Sequence, residues 1–187
     1  MKSENENNVT DFVLIMGCLN KDRRMQEMLY CRYSAKMYSL CLRYSSNAED
    51  AQDALQDGFM RVFKNLYQFR AEGSFRAWMR SIFVNACIEQ FRRAQRKMPV
   101  SDVQEIVIED DSLNILEKLS EKDIIQLIQQ LPSGSRQVFN MHEIEGYTHK
   151  EIAEILGINE GTCKSQLARA KKNLRRMLAE ELNKVNC

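Results

Sequence analysis

GYTHKEIAEILGINEGTCKSQLARAKKNLRR, residues Gly146 to Arg176, decides the fold of the C-terminal half. Thr148 and Glu151 stand in a T-x-x-E capping box, which starts a helix at His149. Ile152, Ala153, Ile155 and Leu156 form the face that this helix buries. Gly157 follows where a left-handed residue would end it. Asn159 is placed to cap the next helix, and Glu160 suits the positive end of its dipole. Two short helices around a tight turn make a helix-turn-helix.

Placed on an ideal helix at about 100° per residue, the second helix separates into two sides. Cys163, Leu167, Ala170, Leu174 and Leu178 form an apolar stripe. Lys164, Arg169, Lys171, Lys172, Arg175 and Arg176 spread over the opposite side, with Ser165 and Gln166 also pointing away from the stripe. A solvated face normally mixes signs, because Glu–Lys pairs one turn apart support a helix. Six cations with no acid between Glu160 and Arg176 repel one another, and a polyanion relieves that repulsion. DNA is the partner this predicts: in a helix-turn-helix the start of the second helix meets base edges while flanking cations hold phosphates.

The rest of the chain extends this reading. Only two Pro and seven Gly in 187 residues, and no run of alternating β-branched residues, predict an all-α protein. No apolar stretch approaches the roughly 20 residues that span a bilayer, and the polar start MKSENENNVT lacks a signal-peptide core. The expectation is a cytoplasmic protein without membrane insertion. Cys18, Cys31, Cys41, Cys87, Cys163 and Cys187 form no C-x-x-C pair, which favours reduced thiols over a zinc site or a disulfide framework. The net charge of +1 conceals segregation: residues 100–123 hold eight acids against two lysines, while residues 1–99 hold sixteen cations against eleven acids.

These shifts divide the chain into two small helical domains joined by a flexible acidic linker, the second domain carrying the helix-turn-helix. The expected boundaries are a disordered tail at 1–10, an N-terminal domain at 11–97, the linker at 98–115 and a C-terminal domain at 116–187. Within the first domain, helices break near Asn20–Asp22, Ser45–Asn47 and Arg70–Ser74. AEDAQDALQDGFMRVFKNL sets Ala51, Leu55, Phe59, Val62, Phe63 and Leu66 on one face. Another helix runs from Ser74 to Arg96, with Trp78, Ile82, Ala86 and Phe91 packing inward.

AEDAQDALQDGFMRVFKNLYQF, then SFRAWMRSIFVNACIEQFRR, and later LPSGSRQVFNMHEIEGYTHKEIAEILGINEGTCKSQLARAKKNL resemble the bacterial extracytoplasmic-function sigma factors, two-domain specificity subunits of RNA polymerase. The resemblance runs from about residue 11 to 182. It implies core RNA polymerase and promoter DNA as partners, and an anti-sigma factor as a candidate third. It implies that Asp50, Asp53, Gln56 and Asp57 dock on the polymerase's largest subunit. The segment Phe69–Trp78 corresponds to the promoter-melting part, where capture of a flipped base drives strand opening. Phe69, Phe75, Arg76, Arg80 and Asn85 are the candidates there, with Arg92, Arg93 and Arg96 along the helix for phosphates. Trp78, Ile82 and Phe83 read better as core, and Phe75 stays open between core and base.

In the family this first module reads the −10 element and the helix-turn-helix the −35 element. Lys164, Ser165, Gln166 and Arg169 match positions that contact bases and phosphates, with Lys172 and Arg176 further along. Cys163 replaces the usual Val, Gln166 stands where Arg is common, and Glu89 stands where Asp is usual. Gln pairs with adenine and Arg with guanine, so promoter preference is expected to shift. The acidic linker would tether the two readers and raise their effective concentration.

An enzyme is not indicated. His142 and His149 show no Cys or acidic partner at ligand spacing, and there is no P-loop or dinucleotide-binding turn. No catalytic residue, metal or cofactor is therefore expected. The alternatives are a stand-alone helix-turn-helix regulator that binds duplex without polymerase, and a helical adaptor that binds only protein.

Overall fold

A computed structural model describes residues 9–97 and 120–185. The expected linker, residues 116–119 and residues 1–8 lie outside the described residues. Every described element is helical: α1 (Asp11–Leu19), α2 (Arg23–Tyr44), α3 (Ala48–Asn65), α4 (Phe75–Lys97), α5 (Glu121–Gln129), α6 (Ser133–Phe139), α7 (His149–Leu156) and α8 (Glu160–Val185). A 3₁₀ turn at Leu66–Gln68 follows α3, and a π-helical turn at Asn140–Ile144 extends α6. The described residues form two compact units, one within Met1–Cys41 and Ala48–Glu89, the other within Leu42–Asn47 and Gln90–Cys187.

The expected breaks fall between α1 and α2, between α2 and α3, and between the 3₁₀ turn and α4. Thr10, assigned to the tail, already caps α1 by accepting from the Val13 N–H at 3.4 Å. Helix α1 turns Leu14, Ile15 and Cys18 inward. The core also holds Leu29, Tyr33, Met37, Val62, Leu66, Met79 and Phe83. Helices α3 and α4 meet at Gly58, where an added Cβ would lie 2.3 Å from the Phe83 ring. Arg61 braces the same pair, bonding Asp57 at 2.8 Å and Glu89 at 2.6 Å. Glu89 thus joins α4 to α3, a role its sequence position did not reveal.

Helix α3 departs from expectation on one side. Ala51, Phe59, Val62 and Leu66 are buried, but Leu55 and Phe63 are only half-buried. With Tyr30, Gln52, Gln56 and Met60 they line an open groove instead of sealing the core.

In the second unit, α5 begins at a capping box between Ser120 and Asp123. Its Leu127 and Ile128, with Leu131 just beyond, pack on Ala170, Leu174, Met177 and Leu178 of α8. The whole predicted stripe of α8 is buried, from Cys163 to Leu178. Cys18, Cys31, Cys41, Cys87 and Cys163 are free thiols.

Candidate nucleic-acid interface

Local chemistry builds the helix-turn-helix as the sequence requires. The Thr148 hydroxyl accepts from the Glu151 N–H, and the Glu151 carboxylate accepts from the Thr148 N–H at 2.8 Å. Donation to that carboxylate from the Thr148 N–H and from the Thr148 hydroxyl, each at 2.8 Å, holds the Glu151 pKa below the usual carboxylate value. Gly157 adopts φ 68°, and its N–H donates to the Ala153 carbonyl. The Asn159 carboxamide then caps α8 by accepting from the Thr162 N–H at 2.6 Å. Ile152 and Ala153 of α7 are buried, whereas Ile155 and Leu156 are half-buried because they sit at its last turn before the open Gly157 corner.

The cations of α8 fall into two groups. Lys164, Lys172 and Arg176 are exposed, while Arg169, Lys171 and Arg175 are half-buried. Lys171 is drawn to Glu143 at 3.2 Å, and Arg176 pairs along its own helix with Glu180 at 2.7 Å. Ser165 is half-buried and donates its hydroxyl to the Thr162 carbonyl at 3.0 Å. Gln166 is half-buried too: its carboxamide oxygen accepts from the Ser135 hydroxyl of α6. In this conformation the Gln166 side chain is turned toward α6, not fully outward as an ideal helix suggests.

The histidines have no Cys or acidic partner at ligand spacing in the sequence, and folding brings each of them neighbours. His142 and His149 stack with ring centroids 4.4 Å apart. His142 Nδ1 lies 2.8 Å from Glu143 Oε1, and His149 Nδ1 lies 3.3 Å from the buried Cys163 Sγ. The group seams the π-turn, α7 and α8 together. Among the described residues no cluster of His, Cys, Asp or Glu is arranged to hold a metal.

This seam predicts a pH dependence. Burial lowers the His149 pKa from its ordinary 6.5, helped by His142 and Lys164 and opposed by Glu160 and Glu143. The unfolded chain then takes up a proton that the folded chain refuses, so stability falls as pH drops below the unfolded value. The second unit should melt earlier at about pH 5.5 than at about pH 7.5, and His149→Phe should flatten that interval. Equal pH slopes for the two proteins in thermal unfolding would refute the assignment.

In the first unit, the loop between the 3₁₀ turn and α4 is framed by aromatic rings. Phe69 packs on Phe75 at 5.2 Å and on Trp78 at 5.5 Å, and Phe75 packs on Trp78 at 5.6 Å. Phe75, left open by the sequence, is only 5 % exposed and belongs to the core. Phe69 and Trp78 are half-buried. Phe83 is fully buried as expected, while Ile82 is half-buried. Arg76 and Asn85 are exposed and Arg80 is half-buried; further along α4, Arg92 is half-buried and Arg93 and Arg96 are exposed. Ala71 holds φ 57°, so the loop turns through a left-handed residue before Gly73.

On α3, Asp53 and Gln56 are exposed, and Asp50 and Asp57 are half-buried. Asp57 is engaged with Arg61, which leaves Asp53 and Gln56 the more open of the four. Beside them Met60 is 65 % exposed and Tyr30 43 % exposed. Sequence reading passed over these apolar groups; an unpaired Met on the polar side of an amphipathic helix was the available signal.

A capped helix-turn-helix in one unit and an aromatic-framed loop leading into α4 in the other make a two-module helical protein. Residues 29–97 match the family described as Sigma-70 region 2, and residues 121–174 match Sigma-70, region 4, which makes the class that of the sigma-70 proteins. The ECF RNA polymerase sigma factor SigM of Mycobacterium tuberculosis (strain Erdman) is 30 % identical over 159 residues, covering 84 % of this chain and 79 % of that protein. The ECF RNA polymerase sigma-E factor of Escherichia coli K12 is 29 % identical, covering 88 % of this chain and 92 % of that protein. The chain belongs to the ECF subfamily of RNA polymerase sigma factors. Among solved structures, the sigma factor RpoE of Bartonella quintana, crystallised with the anti-sigma factor NepR, is 21 % identical with a TM-score of 0.48 and covers 82 % of this chain and 96 % of that one. As a sigma factor the protein binds core RNA polymerase and directs promoter recognition, and the bond-making chemistry belongs to the polymerase. Among the described residues no helix is long and apolar enough to cross a membrane.

Proposed function

We propose that the two modules divide the promoter between them, with the helix-turn-helix reading the −35 element and the Phe69–Phe75 loop capturing a base of the −10 element. The observation that carries this reading is the one-sided α8: an apolar stripe wholly buried, and Lys164, Lys172 and Arg176 exposed away from it. Lys164 and Ser165 sit in the first turns of α8, nearest the bases of a major groove, with Arg169, Lys172 and Arg176 toward the phosphates. Gln166 reaches a base only by leaving Ser135, which makes adenine readout there conditional on rotation of its side chain.

In the first module, Phe69 supplies a ring face for an unstacked base, with Arg80 and Asn85 on α4 and Arg76 at its start. Arg92, Arg93 and Arg96, further along that helix, are the candidates for backbone phosphates. Core polymerase docks on α3 through Asp53 and Gln56, with Asp50 and Asp57 flanking them and the Tyr30–Met60 groove adding apolar area. The linker at 98–115 tethers the two modules, so that weak sites act together through effective concentration. Such a protein works in the cytoplasm beside polymerase, and an anti-sigma partner would act by covering its modules.

Promoter duplex with and without core polymerase, followed by gel shift across a salt series and by run-off transcription, tests the proposal. Tight binding and transcripts that appear only with core polymerase support it. Equal duplex binding without polymerase would point to an independent regulator and defeat it.

A further inference from the structure

We infer that Asp11, Tyr33 and Phe75 are positioning residues for the strand-capturing loop, coupling helix α1 to the face of Phe69. The inference rests on the base-capture reading of that loop and deepens it.

Phe69 and Phe75 stand at the two ends of the loop, and their rings meet edge to face at 5.2 Å, closing it like a staple. Trp78, one turn into α4, contacts both rings. Beneath them the Tyr33 ring meets Phe75 edge-on at 5.7 Å. The Tyr33 hydroxyl donates to Asp11 Oδ2 at 2.5 Å, and Asp11 Oδ1 accepts from Arg32 Nη1 at 3.1 Å. Burial, with the Asp11 bond adding to it, pushes the Tyr33 pKa upward, so the hydroxyl stays a donor. A contiguous path therefore runs from the first residue of α1 through a fixed phenol to the ring beneath Phe69.

The geometry explains why a buried tyrosine, and not phenylalanine, sits at the base of the stack. The hydrogen bond fixes the tilt of the Tyr33 ring, and an edge-to-face contact transmits tilt from one ring to the next. Phe69 is half-buried, which leaves part of its surface for a base while the rest is held by Phe75 and Trp78. The left-handed Ala71 lies inside the stapled loop, so the backbone there is bent before DNA arrives. A base-capturing surface that is already in place avoids the ordering cost at the moment of strand opening.

The test uses the full-length protein with core polymerase on one promoter, as intact duplex and as a template already unpaired at the −10 element. Opening is read by permanganate reactivity of unpaired thymines, with core-polymerase affinity and thermal midpoint measured alongside. Tyr33→Phe should slow opening on duplex by about five- to tenfold. The unpaired template should recover most of that loss, with polymerase affinity and thermal midpoint close to wild type. Asp11→Ala should behave alike, whereas Asp11→Asn, which still accepts from the phenol, should stay near wild type. The Tyr33→Phe/Asp11→Ala pair should be no slower than either alone, since both act through one hydrogen bond.

Phe69→Ala reports on the underlying reading. If Phe69→Ala impairs opening and Tyr33→Phe does not, the positioning path is wrong while base capture stands. If Phe69→Ala opens the duplex normally, base capture by this loop fails and the positioning path falls with it. A Tyr33→Phe defect that is equal on both templates and accompanied by a lowered midpoint marks a merely structural tyrosine, and also overturns the inference.

Discussion

Removing Lys164, Lys172 and Arg176 together by alanine substitution should weaken the polymerase–promoter complex by on the order of a hundredfold at physiological salt. Among the described side chains of α8 these are the exposed cations, on the side away from its buried stripe. Each cation that neutralises a phosphate releases counterions, which makes a contact worth roughly fivefold at about 0.15 M salt. Three such losses multiply to about a hundredfold, and the salt dependence should flatten by about 2–3 units of slope. Arg176 should contribute least, because it must leave Glu180 to reach DNA. Core-polymerase binding should be untouched, since all three residues lie in the other module. Promoter affinity measured at several salt concentrations, for the triple variant and for each single one, checks this. An affinity and slope equal to wild type would mean that the three cations are ordinary solvated surface.

Gly58→Ala should destabilise the first unit by about 1–3 kcal/mol, although the same change in an ordinary helix stabilises. The sign reverses because of what lies opposite. A Cβ at this position would sit 2.3 Å from Phe83 Cε1 and 2.4 Å from Cδ1. Phe83 is fully buried and held edge-on by Phe59 at 5.2 Å, so its ring has no open side to move into. Helix α3 would have to back away from α4, straining the Arg61 bridge to Glu89. Phe83→Leu removes the clashing ring atoms, and the double variant should lose less stability than the two single losses summed. Denaturant unfolding of the four proteins decides it. A rise in stability for Gly58→Ala alone would show that α3 and α4 are less tightly apposed.

Both cases expose the boundary between what a sequence announces and what packing decides. The cap at Thr148, the turn at Gly157, the cap at Asn159 and the buried stripe of α8 were all legible. Each depends on residues three or four apart, and helix geometry alone brings those together. The breaks at Asn20–Asp22, Ser45–Asn47 and Arg70–Ser74 were legible for the same reason, since local residue choice stops a helix.

The candidate interface was legible as a set of positions, but not as a set of side-chain states. Gln166 has the right place on α8, yet its partner Ser135 is thirty-one residues away. Phe75 could have faced a base or the core until Tyr33, Phe69 and Trp78 were placed around it. His149 gained Cys163 as a neighbour only when α7 folded back on α8. Arg61 found Glu89 only when α3 lay along α4.

By itself, then, the amino-acid order determined the helical class, the caps at Thr148 and Asn159, the corner at Gly157, and the apolar stripe and basic side of α8. These follow from backbone hydrogen bonds and a period of about 3.6 residues. Only the tertiary structure decided which cations are exposed, which rings frame the loop, and which glycine permits close approach. Those outcomes depend on where distant surfaces meet, and no local period encodes that distance.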